Sequence, residues 1–308
     1  MNAPDRDPWE GLLAEGPDVS PPDEYVVFLV DVLGMGEKLR RWKTVNLAKP
    51  ETYGPIWDSV EPLRRIYRGF RRFFSGCEQG RQPAVLGKYL PEKDVHVFRQ
   101  CTDWRLGTQW FADTFIFYSA LHNADGFPST VPLTYFLMAS CSAILNSLQH
   151  RTPVRGALCV GKGIELAAHN LFGPAFYEAH YLESTKADYP RIIVSPGVVS
   201  FVRQQQMDKP HNLVAAKMQG LASLPDALIG TDNDGSLIVD YLGEGLRRGI
   251  DDDQLEEFCR GVRAGYAFVV AEQRRFLEEG NVKLVGRYTM LRHYIESRLP
   301  EWGIAAHG

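Results

Sequence analysis

The run Tyr25-Val26-Val27-Phe28-Leu29-Val30-Asp31-Val32 constrains this chain more than any other stretch. It is nearly continuous in apolar, mostly branched side chains and stops at Gly34 and Gly36. Such a run reads as a central strand covered on both faces, because an edge or half-exposed strand would alternate. Asp31 is its one polar residue. A carboxylate at the end of a buried strand needs a compensating charge, since burying it alone is costly.

The remaining pattern supplies layers for that strand. Residues 54–76 repeat apolar side chains at helical spacing (Ile56, Val60, Leu63, Ile66, Tyr67, Phe70 and Phe73 or Phe74) beside Arg64, Arg65, Arg68, Arg71 and Arg72. Those arginines read as a solvated basic face. Residues 77–92 read as a loop. Asp94–Phe98 and Gln109–Tyr118 read as paired strands joined by a turn around Asp103 and Gly107. Residues 131–150 read as a buried helix. Arg155–Gly161 and Ile164–Leu171 read as a further strand pair turning at Gly161-Lys162-Gly163. Then come a helix at 173–186, a strand at 191–195, a helix at 198–206 and a hairpin around Asn233-Asp234-Gly235. Helical stretches start at Asp251 and about 284. The order predicts an α+β fold: a mixed, mostly antiparallel sheet with helices packed on one face. Residues 1–23, with five prolines among acidic and small residues, predict a flexible arm. Residues 24–242 form the proposed domain, and 243–308 a helical extension packed on it.

Composition narrows the function. The 308 residues carry a net charge of −4, which argues against a general nucleic-acid binder. Five scattered cysteines, without metal-ligand spacing, suit a reduced cytoplasmic protein. No basic segment followed by an apolar run opens the chain, so no signal peptide is expected. Val131–Leu148 is the most apolar stretch, but its serines, Thr134 and Asn146 read as a core helix rather than a membrane span. Neither G-x-S-x-G nor G-x-x-x-x-G-K-[ST] occurs, which removes two common hydrolase and phosphate-loop signatures.

A second acid, Asp113, lies within Trp110-Phe111-Ala112-Asp113-Thr114-Phe115-Ile116-Phe117-Tyr118, read as the middle of a strand. Two aspartates in strands suggest a shared charge. A divalent metal would supply it, since Mg²⁺ is held by one or two protein carboxylates plus substrate phosphates. Capping of a turn, or pairing with a buried arginine such as Arg155, is the competing reading.

Phe28-Leu29-Val30-Asp31-Val32-Leu33-Gly34-Met35 resembles the F-x-D-I-x-G-F opening of class III nucleotidyl cyclases. Gln109-Trp110-Phe111-Ala112-Asp113 is similar to that family's Lys-x-x-Gly-Asp. Arg155-Gly156-Ala157-Leu158-Cys159-Val160-Gly161-Lys162 resembles R-x-G-I-H-x-G-R, and Asn170 to Ser184 follows D-x-x-G-x-x-V-N-x-A-x-R-L-E-S. The likeness covers about residues 24–242, in the family's order. It departs from the purine enzymes where lysine and aspartate read adenine: Gln109 and Asn170 stand there, neutral amides that donate and accept. The family's transition-state asparagine and arginine fall on Tyr177 and Tyr181. This combination, with the 77–92 insertion and the extra C-terminal helices, is similar to the pyrimidine cyclases of bacterial anti-phage (Pycsar) defence.

The resemblance implies a ferredoxin-like cyclase domain and conversion of UTP to 3′,5′-cyclic UMP and pyrophosphate, with CTP to cyclic CMP as the alternative. It implies two Mg²⁺ or Mn²⁺ ions held by Asp31, Asp113 and the Val32 carbonyl. Lys162 matches a phosphate-contacting arginine of the family, and Lys283 and Arg287 are further candidates for phosphate. Tyr177 and Tyr181 would touch ribose or phosphate, or pack in an interface. The family places its sites between two subunits, which implies a homodimer, and a separate effector protein would read the product. A non-catalytic cyclase-like nucleotide-binding module is the reading from another class.

Overall fold

The structure, a computed structural model, describes residues 20–78, 91, 94–95, 104–123, 126, 128–166, 170–207, 220 and 223–306. Of the expected arm (1–23) and loop (77–92), residues 1–19 and 79–90 lie outside these; Ser20 is bonded to the Glu165 backbone and Asp23 already begins a strand, and residues 77 and 78 are helical, which shortens both expectations. Strand β1 (Asp23–Val32) is central, as its apolar run predicts. It pairs antiparallel with β3 (Thr114–Ala120) on one side and β4 (Val154–Leu166) on the other. With β2 (Gly107–Phe111), β5 (Asn170–Phe172), β6 (Ile192–Val194), β7 (Ile229–Thr231) and β8 (Leu237–Val239) the sheet runs β2-β3-β1-β4-β6-β8-β7, and β5 pairs with β4. Among the described residues only β4 and β6 run parallel. The fold is α+β with a mostly antiparallel sheet.

After the short helix α1 (Met35–Arg40), α2 (Gly54–Glu78) and α3 (Val131–Gln149) cover one face. Phe28 and Phe117, opposite each other in the β1–β3 ladder, meet Phe70 at ring distances of 5.5 and 4.4 Å. Phe74 lies 5.3 Å from Phe136 of α3. By length and composition α3 would suffice to cross a membrane, yet 67% of its apolar window is buried within the protein. A groove of about 590 Å³ runs between α2 and α3, and Arg65, Arg68 and Arg72 line it with exposed side chains.

The other face is covered too, by α4 (Pro174–Lys186), which corrects the expectation of helices on one side only. A Cβ built at Gly161, on the face opposite Phe28, would sit 3.4 Å from the Ala175 backbone. The glycines at 161 and 163 are therefore places of close packing, not a turn. The predicted strand pair there is one 13-residue strand, β4, with the short β5 returning beside its end. A second correction concerns residues 94–118. Asp94 and Val95 form a helical turn on the Pro91 carbonyl, whereas 96–103 lie outside the described residues. The ladder at 107–120 is a hairpin, β2 to β3, whose two-residue turn is Ala112-Asp113. Asp113 is thus in a turn, not in mid-strand.

Helices α5 (Pro196–Met207), α6 (Leu224–Ala227) and α7 (Glu244–Arg248) precede the long C-terminal pair, α8 (Asp252–Glu278) and α9 (Val282–Arg298). Gly265 lets α8 approach α3, where an added Cβ would stand 3.2 Å from Leu148 Cβ. The Asn281 side chain caps α9 by accepting from the Leu284 N–H. Tyr294 and Arg298 of α9 hold the Asp240 carboxylate, and Trp302 Nε1 donates to the Leu242 carbonyl at 2.8 Å. Arg191, at the entry to β6, is buried between Asp232 Oδ2 and Asp234 Oδ2 at 2.5 and 2.7 Å and ties that strand to the β7–β8 hairpin.

Candidate active site

Register decides what Asp31 meets. It stands opposite Thr114 of β3 and Arg155 of β4, and residues directly opposite share a face of the sheet. Thr114 Oγ1 donates to Asp31 Oδ1 at 3.1 Å, and Arg155 Nε donates to Oδ2 at 3.4 Å. The hairpin turn brings the second acid alongside, for the Asp113 carbonyl accepts from the Val32 N–H at 3.2 Å. The two carboxyl groups feel each other. Burial, and then the neighbouring Asp113, push the Asp31 carboxyl above its ordinary range, while Arg155 and Thr114 oppose the shift.

Turn chemistry at this hairpin is unusual. Ala112 has φ +54°, a left-handed conformation in which glycine is the ordinary occupant. The sequence gives no Asn-Gly or Asp-Gly signal at the turn, which is why it reads as continuous strand.

A third carboxylate completes the cluster, and sequence reasoning did not single it out. Glu183 lies on the inner face of α4, four and eight residues after the buried Ala179 and Ala175. Its side chain is 7% exposed, and Oε1 is 2.8 Å from Arg155 Nε. Burial raises its pKa, Arg155 counters that, and Asp31 and Asp113 add to the rise. The legible signal was an acid at i+4 and i+8 from small residues on one helix face.

The two amides also come together. Gln109 Nε2 donates to Asn170 Oδ1 at 3.0 Å, on the solvent side of β2 and β5. Gln109 pairs with Ile116, which pairs with Leu29. Strand spacings therefore put its Cα about 12 Å from that of Asp31, on the same face. Tyr177 and Tyr181 project from the outer side of α4, 73% and 50% exposed. Lys162 is exposed toward the β5 end of β4, opposite Glu24. Arg287 reaches Asp188 at 3.7 Å, next to Ala187, whose carbonyl accepts from Arg155 Nη1 at 3.4 Å. Lys283 is exposed on the first turn of α9 and makes no hydrogen bond or ion pair among the described residues with any group named above.

The donor set fits a hard divalent cation that shares its coordination with phosphate. Two half-buried carboxylates are near enough for the charge of one to disfavour ionisation of the other, and oxygen-only sites with one or two protein carboxylates suit Mg²⁺. Among the described residues no group of three or more His, Cys, Asp or Glu is arranged to hold a metal by itself. Any such ion would therefore complete its coordination with water or with oxygens brought by a ligand. Comparison with protein-family models yields no match, and comparison with curated proteins yields no significant match either.

Proposed function

We propose that the chain is a nucleotide cyclase that converts UTP to 3′,5′-cyclic UMP and pyrophosphate. The observation that carries this reading is the pair Asp31–Asp113, drawn together by the end of the central strand and a hairpin turn, with the Asp31 carboxyl held above its ordinary range by burial and by its neighbour. A second acid beside Asp31 makes its ionisation costlier unless a cation is shared between them, and a divalent ion would supply that charge. The first four strands, in the order β2-β3-β1-β4, suit the ferredoxin-like core that the class III resemblance implies.

Two Mg²⁺ or Mn²⁺ ions would lower the pKa of the ribose 3′-hydroxyl and neutralise charge on the phosphates. Asp31, Asp113 and the Val32 carbonyl would hold them. The 3′-oxygen then attacks the α-phosphorus, its proton leaves to solvent, and the bond to pyrophosphate breaks. The chain's own contribution is alignment. Gln109 and Asn170 would read the base. Each can turn its amide to present a donor or an acceptor, which suits the O4 and N3–H of uracil and equally the reversed pattern of cytosine. Tyr177, Tyr181, Lys283 and Arg287 are the candidates for phosphate and ribose; Lys162, about 23 Å along the ladder from Asp31 and on the opposite face of the sheet, would contribute only from a partner subunit. The sites would lie between two subunits of a homodimer, and a separate effector would read the product as a signal in anti-phage defence.

A non-catalytic nucleotide-binding module is the second reading, and one contact favours it: Arg155 already donates to Asp31. Incubating the protein with each of the four nucleoside triphosphates and Mn²⁺ separates the two. Cyclic UMP with pyrophosphate is the expected product. Cyclic CMP would retain the cyclase and change the base. Cyclic AMP or GMP alone would overturn the role of the amides. Bound nucleotide without pyrophosphate release would support the module.

A further inference from the structure

Arg155 is divided between two acids. Its Nε–H is aimed at Asp31 Oδ2, 3.4 Å away, yet the nearer oxygen is Glu183 Oε1 at 2.8 Å. That shorter contact is poorly aligned, and the buried Oε1 has no well-formed hydrogen bond. Glu183 thus lies within charge range of the guanidinium without being saturated by it. Asp31 and Glu183 share this one cation, Asp113 adds negative charge near both acids, and His180 is also near Glu183.

We propose that Arg155 is a displaceable counter-ion: it holds Asp31 in the cation-free protein and passes to Glu183 when a divalent cation occupies the acid pair. This rests on the proposed use of Asp31 and Asp113 as metal ligands. A guanidinium stays protonated at every relevant pH, so it cannot yield to an incoming cation by losing its charge. It must move or exclude that cation. The Arg155 head group spans both acids already, so a small rotation exchanges one for the other. Glu183 is in this view a positioning residue. It touches no ligand, and it sets how readily Asp31 is released.

The idea makes opposite predictions for two neighbours in one ion pair. Without Glu183, Arg155 keeps only Asp31 as an anionic partner and competes with the metal. Without Arg155, that competition disappears. Mn²⁺ is titrated into metal-free protein, with no nucleotide present, and its dissociation constant is read from the electron paramagnetic resonance of free Mn²⁺. Glu183→Gln should weaken binding about tenfold, and Arg155→Gln should tighten it by a similar factor. In the double variant the Glu183→Gln effect should vanish, and Glu183→Asp should restore most of the wild-type value. A merely structural ion pair would weaken binding in both single variants, and that result overturns the proposal. So does an unchanged constant in Glu183→Gln. Circular dichroism checks folding; if Glu183→Gln fails to fold, the sign of the Arg155→Gln effect decides alone. Folded wild-type protein that binds no Mn²⁺ removes the metal reading itself, a result distinct from binding that ignores Glu183.

Discussion

Asp31 illustrates how much one side chain owes to register. Its place at the end of an apolar strand was legible, because a single acid in such a run is conspicuous. Asp113 was legible as an acid but not as a turn residue, since Ala112 hides the turn. Glu183 escaped because helix α4 has little apolar contrast, and its inner face shows only small residues. Replacing Asp31 or Asp113 by Asn should lower cyclic nucleotide formation at least about 100-fold, with far-UV circular dichroism unchanged. Near-normal turnover in either variant would remove the two-acid assignment. The raised pKa of Asp31 also has a sign. Its folded form holds the proton more tightly than the unfolded chain does, so this group lowers stability as pH rises from about 4 through the folded value. In metal-free buffer the melting temperature of Asp31→Asn, measured against wild type, should therefore gain with rising pH over that window. A constant difference would mean that burial does not perturb this carboxyl.

Elements were recovered where their periodicity was unshared. The long apolar run gave β1, the arginine-rich α2 had clear spacing, and α3 stood out as the most apolar stretch. Gly161-Lys162-Gly163 misled, because glycine serves close packing and turns alike, and only the neighbouring α4 tells which. Gly173 has both needs: φ is +140°, and an added Cβ would lie 2.8 Å from Gly163 Cα. Gly173→Ala should cost about 2 kcal/mol in urea unfolding. At the β2–β3 turn the direction reverses. Ala112→Gly relieves a left-handed alanine and should stabilise the protein by about 1 kcal/mol. A loss of stability there would show that the turn is not strained.

For the molecule as a whole, the C-terminal helices are part of the core. Buried Val262, Tyr266 and Val269 of α8 belong to the same apolar cluster as α3, and Trp302 closes on Leu242. Deleting 243–308 should uncover that face and yield insoluble protein; a soluble, cooperatively folding 1–242 fragment would contradict this. The proposed dimer has its own test. If each site draws acids from one subunit and amides from the other, mixing inactive Asp31→Asn with inactive Asn170→Ala should restore activity, up to about a quarter of wild type for random pairing of subunits. Absence of rescue in verified mixed dimers would put the whole site in one chain.

The mutual contact of Gln109 and Asn170 at the sheet's rim has a consequence for descent. On the proposed reading, the acids of the central strand and the amides of the margin could be selected separately. If those amides read the base as proposed, exchanges there would disturb no packed core, and a lineage could change the letter of its signal while its acid pair stays intact.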